Sequence, residues 1–96
     1  MTIEELRRSK KQDILRIAAN YGVTNVRVFG SIARGESGPS SDIDFLVDLA
    51  PDRTLMDLGG LLMDLRSLLH QPVDVATERM LRPKVLDQAL RDAVSL

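Results

Sequence analysis

The sequence has no cysteine among its 96 residues, which excludes disulfide bonds and thiolate metal sites. It has no apolar stretch near the roughly 18 residues that a membrane-spanning helix requires, and its first twenty residues lack the apolar segment of a signal peptide. Neither sign of charge is in excess, because 13 Lys and Arg residues face 14 Asp and Glu residues. We therefore expect a cytoplasmic protein that binds neither membranes nor nucleic acid directly and holds any polyanion at a local site.

The length of the chain predicts one domain, residues 1–96. The pattern of apolar residues predicts an α/β fold in which a small mixed β-sheet is covered by helices. The predicted elements are a helix at 2–21, a strand at 25–29, one helical turn at 31–34, a loop at 35–41, a strand at 42–47, a helix at 55–69, a strand at 72–76, and a helical region from 77 that contains a helix at 83–94. Gly59 and Gly60 lower the helix propensity of 55–69 and are expected to permit close packing against the sheet.

Asp42 and Asp44 place two charges within an otherwise apolar strand. Residues two apart on a strand face the same side, so these carboxylates project together while Ile43, Phe45 and Val47 project to the core. Two close carboxylates repel each other unless one takes a proton or a cation binds. Oxygen ligands suit a hard divalent ion such as Mg²⁺, whereas the apolar residues between the acids argue against a calcium loop.

Asp74 is the candidate for a third carboxylate. It lies between Val73 and Val75 in another apolar strand, so it is expected to face away from the core. If this strand lies beside the strand of Asp44, the acids converge on one face of the sheet. Asp48 has the same parity as Asp44 but lies near the end of its strand, so we rank it below Asp74.

Gly30 and Ser31 form the second candidate feature, at the end of the predicted strand 25–29. A strand that turns there into a short helix exposes backbone N–H groups to an anion, and glycine lets a phosphate approach the backbone closely. The ten residues that follow Ser31 are enough to bring this turn beside the acids. Arg34 is a candidate phosphate ligand, although an ion pair that holds the loop is slightly favoured, and Glu36 is interpreted as a pairing residue.

These residues together resemble a known pattern. Gly30-Ser31, a ten-residue spacer, Asp42-Ile43-Asp44 and a distant acid at Asp74 are similar to the DNA polymerase β-type nucleotidyltransferase superfamily. The segment GSIARGESGPSSDIDFLVD looks like the minimal nucleotidyltransferases, many of which are antitoxins paired with HEPN-domain toxins. The resemblance covers essentially the whole chain and implies a polymerase β-like nucleotidyltransferase fold.

The resemblance also implies a role for each residue. Asp42 and Asp44 would bind two Mg²⁺ ions that carry the nucleoside triphosphate, Asp74 would complete the metal site on the acceptor side, and Gly30 and Ser31 would hold the β- and γ-phosphates. ATP is the implied substrate, and the implied reaction is transfer of AMP to a tyrosine of a HEPN ribonuclease, which inactivates this toxin. Since the chain has little material for a second domain, the partner is expected to present the acceptor.

Three other interpretations stay open at this stage. The chain could be an antitoxin that neutralises its partner by stoichiometric binding, a nucleotidyltransferase for a small molecule, or an unrelated α/β domain with coincidental acids. The leucine- and methionine-rich segment 55–69 is either a partner surface or a more fully buried helix. The basic residues at 7–11 are interpreted as a solvated helix face.

Overall fold

The computed structural model describes residues 1–36, 38 and 41–96. Ser37, Pro39 and Ser40 belong to the predicted loop 35–41, so this part of the prediction lies outside the described residues. The helices are α1 (Ile3–Ser9), α2 (Lys11–Asn20), α3 (Leu55–Leu69) and α4 (Pro83–Asp92), with a short 3-10 helix at Glu78–Met80, and the strands are β1 (Val23–Phe29), β2 (Ile43–Leu49), β3 (Val73–Ala76) and β4 (Val94–Ser95).

The four strands form one mixed sheet in the order β3-β2-β1-β4. β1 is antiparallel to both β2 and β4, whereas β2 and β3 are parallel. The start of β2, the start of β3 and the end of β1 therefore meet at one end of the sheet. This topology confirms the predicted α/β class. It also meets the condition stated for Asp74, because the strands that carry Asp44 and Asp74 are neighbours.

The main apolar core lies on one face of the sheet, beneath α1, α2 and α3. As predicted from strand parity, Ile43, Phe45 and Val47 of β2 are buried in it. Among the described residues, two buried apolar residues lie outside this core: Leu46, which has the parity of Asp44, and Ala89 of α4. The face that carries the acids is therefore partly covered rather than bare.

Helix α3 begins and ends where the leucine spacing predicts. Its Thr54 N-cap accepts a hydrogen bond from the Met56 N–H, and the side chain of Asp57 accepts one from the Thr54 N–H, which completes a capping box. His70 ends the helix in the left-handed conformation. Gly60 does not pack against the sheet, which corrects that expectation: a Cβ there would collide with the ring of Tyr21 at the end of α2.

The single helix predicted at 2–21 is wrong, because the chain leaves helical geometry at Lys10 and forms two helices. Leu6 and Ile14 are both buried, and the seven residues between them are all polar, so no continuous apolar stripe holds one straight helix on the sheet. Within the basic segment, Arg7 donates a hydrogen bond to the Ser95 carbonyl.

The C-terminal helix is also shorter than predicted, since α4 ends at Asp92 and Val94 pairs with Val28 in β4. A two-residue strand gives almost no periodic signal, and it forms because the edge of β1 offers free backbone groups. Within the described part of the chain, no helix is both long enough and apolar enough to span a membrane.

Candidate active site

Asp44 and Asp74 are direct register partners across the parallel β2–β3 pair. Neighbouring strands are roughly 4.8 Å apart, so their Cα atoms are close and their side chains leave the same face of the sheet. Asp42 lies just before the first residue of β2 and is exposed. The structure thus brings Asp44 and Asp74 side by side. Asp42 lies next to them, immediately before β2 begins.

The electrostatics of Asp44 show that the acids act on one another. Its pKa is raised from 3.8 to about 6, first by partial burial and then by the negative charges of Asp74 and Asp42. The positive charge of Arg34 opposes this rise. Asp44 is therefore a carboxylate whose ionised form lacks sufficient positive charge nearby, and a cation at this position would supply it.

The donor set fits a divalent ion of the Mg²⁺ type, because it consists of carboxylate oxygens at a partly solvated edge of the sheet. Among residues 1–36, 38 and 41–96, no three acidic or histidine side chains are arranged closely enough to coordinate a single ion as they stand. The carboxylates therefore form an acidic surface rather than a closed protein cage. This suits Mg²⁺, which keeps waters and substrate phosphates among its ligands.

The Gly30–Ser31 turn directly adjoins the acids. Gly30 has a φ of +78°, and a Cβ at this position would collide with Oδ2 of Asp44, so glycine is required both by conformation and by space. The turn is held by hydrogen bonds from the Arg34 N–H to the Gly30 carbonyl and from the Glu36 N–H to the Ser31 carbonyl. The Asp44 carboxylate therefore lies against the backbone at which the sequence predicts phosphate binding.

Arg34 pairs with two carboxylates in this structure. Its Nε lies 2.5 Å from Glu36 Oε2 and its Nη1 lies 2.6 Å from Asp92 Oδ2. These hydrogen bonds, that with Glu36 being the stronger cause, raise the pKa of Arg34. The ion pair confirms that Glu36 is a pairing residue. It also shows that Arg34 holds the loop, whereas a contact between Arg34 and a phosphate stays a prediction.

Asp92 was not among the residues predicted for the site. It lies 58 residues from Arg34 and is brought to it by α4. Its side chain is 9% exposed, and it also accepts a hydrogen bond from Gln88 Nε2. No spacing in the sequence signals this contact, because it depends on how α4 packs beside β1.

We call Asp42, Asp44 and Asp74 the acidic cluster. Asp48 does not belong to it and is hydrogen-bonded to other residues. It accepts hydrogen bonds from Arg27 Nη2 at 3.0 Å and from Asn25 Nδ2 at 3.1 Å. The Arg27 guanidinium, whose side chain is 13% exposed, also contacts Glu78. The lower rank given to Asp48 agrees with this separate ion-pair network.

The family model described as a nucleotidyltransferase domain matches residues 7–96. A candidate protein adenylyltransferase of Methanocaldococcus jannaschii, MJ0435, is 36% identical over 96 residues, covering 100% of this chain and 99% of that protein. The protein adenylyltransferase MntA of Thermococcus cleftensis is 31% identical over 94 residues, covering 98% of this chain and 95% of that protein.

Solved structures give the same result for the fold. A structure described as a candidate minimal nucleotidyltransferase has a TM-score of 0.85 and 43% sequence identity, covering 100% of this chain and 97% of that one. A structure described as a toxin–antitoxin with AMP-PNP has a TM-score of 0.75 and covers 90% of this chain and 71% of that one. Its identity of 22% shows a shared fold alone.

Proposed function

Because this chain belongs to the nucleotidyltransferase domain family, we propose that its acidic cluster catalyses transfer of AMP from ATP to a hydroxyl group of a partner protein. The nucleotidyltransferase class follows from the family match, and the protein acceptor is inferred from the relatives named protein adenylyltransferases. The proposal also includes cytoplasmic location and a partner that presents the acceptor.

The reaction is an in-line displacement at the α-phosphorus. The acceptor hydroxyl loses its proton, its oxygen forms a bond to the α-phosphorus, and the bond between this phosphorus and the oxygen bridging to the β-phosphorus breaks. Pyrophosphate leaves with the bonding electrons. Bound Mg²⁺, with two ions proposed, would neutralise the triphosphate and stabilise the charge on the attacking and leaving oxygens.

The three predicted acids and the Gly30–Ser31 turn each have a proposed role in this reaction. Asp42 and Asp44 hold the cation that accompanies the nucleotide, and Asp74 faces the acceptor and favours loss of its proton. Gly30 and Ser31 bind the β- and γ-phosphates through backbone N–H groups and the serine hydroxyl.

The single observation that supports this proposal best is the contact between two residues that the sequence places fourteen positions apart. The Asp44 carboxylate fills the space in which a Gly30 side chain would lie, and Asp74 is the register partner of Asp44. A phosphate on the turn and a cation on the acids would therefore be adjacent, which is the arrangement that phosphoryl chemistry requires.

We further propose that the partner is a HEPN-domain ribonuclease toxin and that its acceptor is a tyrosine. The resemblance of the Gly-Ser and Asp-Ile-Asp segment to antitoxin nucleotidyltransferases supports this assignment, as does the 31% identity to MntA of Thermococcus cleftensis. Adenylylation adds a charged group to the tyrosine and would inactivate the toxin.

The test uses ATP labelled at the α-phosphate, with Mg²⁺, and a candidate HEPN-domain ribonuclease from the same genome as the partner. We expect label on the partner, none from ATP labelled at the γ-phosphate, and loss of labelling in Asp42→Asn and Asp44→Asn. Absence of labelling with an active partner would contradict the proposal. If both variants still neutralise the toxin, neutralisation occurs by stoichiometric binding instead.

A further inference from the structure

A mostly apolar groove of about 330 Å³ lies between α4 and the end of β1, and we call it the α4 groove. Its lining includes Phe29, Gly30 and Arg34 on one side, and Lys84, Val85, Gln88 and Asp92 of α4 on the other. Nothing in the proposed chemistry uses its α4 side.

The α4 groove is continuous with the candidate active site. Gly30 belongs to both the groove and the phosphate-binding turn. Phe29 is the register partner of Asp44, so its side chain leaves the sheet on the acid-bearing face. A ligand on the turn and the acids would therefore meet this groove without crossing the sheet.

The size of the groove limits what it can hold. Sites for whole drug-sized ligands have volumes of about 300–1,000 Å³, so 330 Å³ is at the lower end of that range. This volume suits a base with its ribose but leaves the triphosphate outside, on the turn and the acids.

The aromatic residues of the chain single out Phe29. The sequence has two Phe, one Tyr and no Trp. Phe45 is fully buried in the core, and Tyr21 packs at Gly60 and donates its hydroxyl hydrogen to Asp64. Phe29 is partly exposed and lines the groove. Bases stack on exposed aromatic rings in many nucleotide sites.

A larger concavity of about 450 Å³ at the other end of β2 does not fit this role. It is lined in part by Asp48, Arg53 and Glu78, and Asp48 is four residues, or roughly 13 Å, along the strand from Asp44. Asp48 and Glu78 both pair with Arg27 there.

We propose that the α4 groove binds the base and ribose of the nucleotide, with the base against Phe29 and the Val85 side chain. Gln88 contributes an amide oxygen, which is the kind of acceptor that the exocyclic amino group of adenine requires. The proposal rests on the proposed function, because it assumes that the substrate is a nucleoside triphosphate.

The experiment compares two ligands and two matched variants by calorimetry. MgATP carries a base, whereas magnesium tripolyphosphate offers only the phosphates. Val85→Asn changes a groove residue that is 49% exposed, and Leu90→Asn makes a comparable change at a residue of the same helix that is 45% exposed and outside the groove lining. Both positions are on the surface of α4, so both variants are expected to fold.

We expect Val85→Asn to weaken MgATP binding about fivefold or more while tripolyphosphate binding stays within about twofold. Leu90→Asn should leave both affinities unchanged. The proposal is overturned if Val85→Asn leaves MgATP binding intact, if both variants weaken it equally, or if the two ligands lose affinity together. If the unmodified protein bound MgATP and magnesium tripolyphosphate equally, only the proposal that the α4 groove binds the base and ribose would be overturned. If it bound neither ligand, the proposed function would be overturned as well.

Discussion

Asp44 and Asp74 are paired in register across β2 and β3, two parallel strands joined by α3. Like charges on adjacent strands are unfavourable, and the structure tolerates them at the cost of a raised pKa for Asp44. The folded chain thus has an acidic surface that is most stable when it is partly protonated or when it holds a cation.

This relationship predicts an unusual pH dependence of stability. The pKa of Asp44 rises from 3.8 to about 6 on folding, so between these pH values the folded state retains a proton that the unfolded state has released. The contribution of Asp44 to stability is fully present below about pH 4 and is lost as the pH rises through about 6. We therefore expect Asp44→Asn to become progressively more stable than the unmodified protein between pH 4 and 7 in urea unfolding with a chelator present.

Asp52→Asn is the control for that experiment, because Asp52 is an exposed acid in the turn after β2. Its stability difference from the unmodified protein should not follow the same pH window. Addition of Mg²⁺ with ATP should stabilise the unmodified protein more at pH 7 than at pH 5, since the cation favours ionised Asp44. An Asp44→Asn difference that is constant with pH would contradict the burial and charge argument.

Gly30 and Gly35 form a matched pair for a second prediction. Both have positive φ, +78° and +74°, so alanine at either should cost about 1 kcal/mol of stability. Only at Gly30 would the new Cβ displace the Asp44 carboxylate, whereas the space at Gly35 is open. We expect Gly30→Ala to lower nucleotidyl transfer at least about tenfold beyond any effect of Gly35→Ala, as measured by initial rates on folded protein. Equal activity of the two variants would show that Asp44 does not need its position against the turn.

Gly59 and Gly60 in α3 give a third prediction, on stability alone. Gly59 faces open space, so Gly59→Ala should stabilise the protein by about 0.5–1 kcal/mol through helix propensity. Gly60→Ala should destabilise it by about 1–3 kcal/mol, because the methyl group collides with the Tyr21 ring and disturbs its hydrogen bond to Asp64. Denaturant unfolding of both variants checks the opposite signs, and stabilisation by Gly60→Ala would show that the α2–α3 contact is looser than described.

The sequence was sufficient to predict features that depend on local periodicity. Strand parity separated Asp44 from the buried Ile43 and Phe45, and the leucine spacing predicted the bounds of α3 at Leu55–Leu69. The length of the segment after Ser31 indicated that the Gly30–Ser31 turn can lie beside the acids, whereas the placement of the Asp74 strand beside that of Asp44 was a condition that the structure had to supply.

Features that depend on tertiary packing were not predictable in this way. The break at Lys10 lets Leu6 of α1 and Ile14 of α2 both enter the core, and β4 forms because β1 has an open edge. The Arg34–Asp92 pair joins residues 58 positions apart, and no local pattern encodes the placement of α4 that brings them together.

The last prediction concerns Asp74. The structure shows that it lies in register with Asp44, and its role on the acceptor side is a proposal. If Asp74 completes the acceptor side of the metal site, Asp74→Asn should lower the rate of nucleotidyl transfer about 100-fold or more. Its MgATP affinity should stay within about threefold, because the proposal assigns the nucleotide's cation to Asp42 and Asp44. Asp48→Asn is the matched control: it removes another acid from the same face of the sheet, but one already paired with Arg27 and Asn25. The measurements are the rate of partner labelling and the calorimetric affinity for MgATP. The proposed role of Asp74 would be wrong if Asp74→Asn lost affinity alone, or if Asp48→Asn lost as much rate as Asp74→Asn.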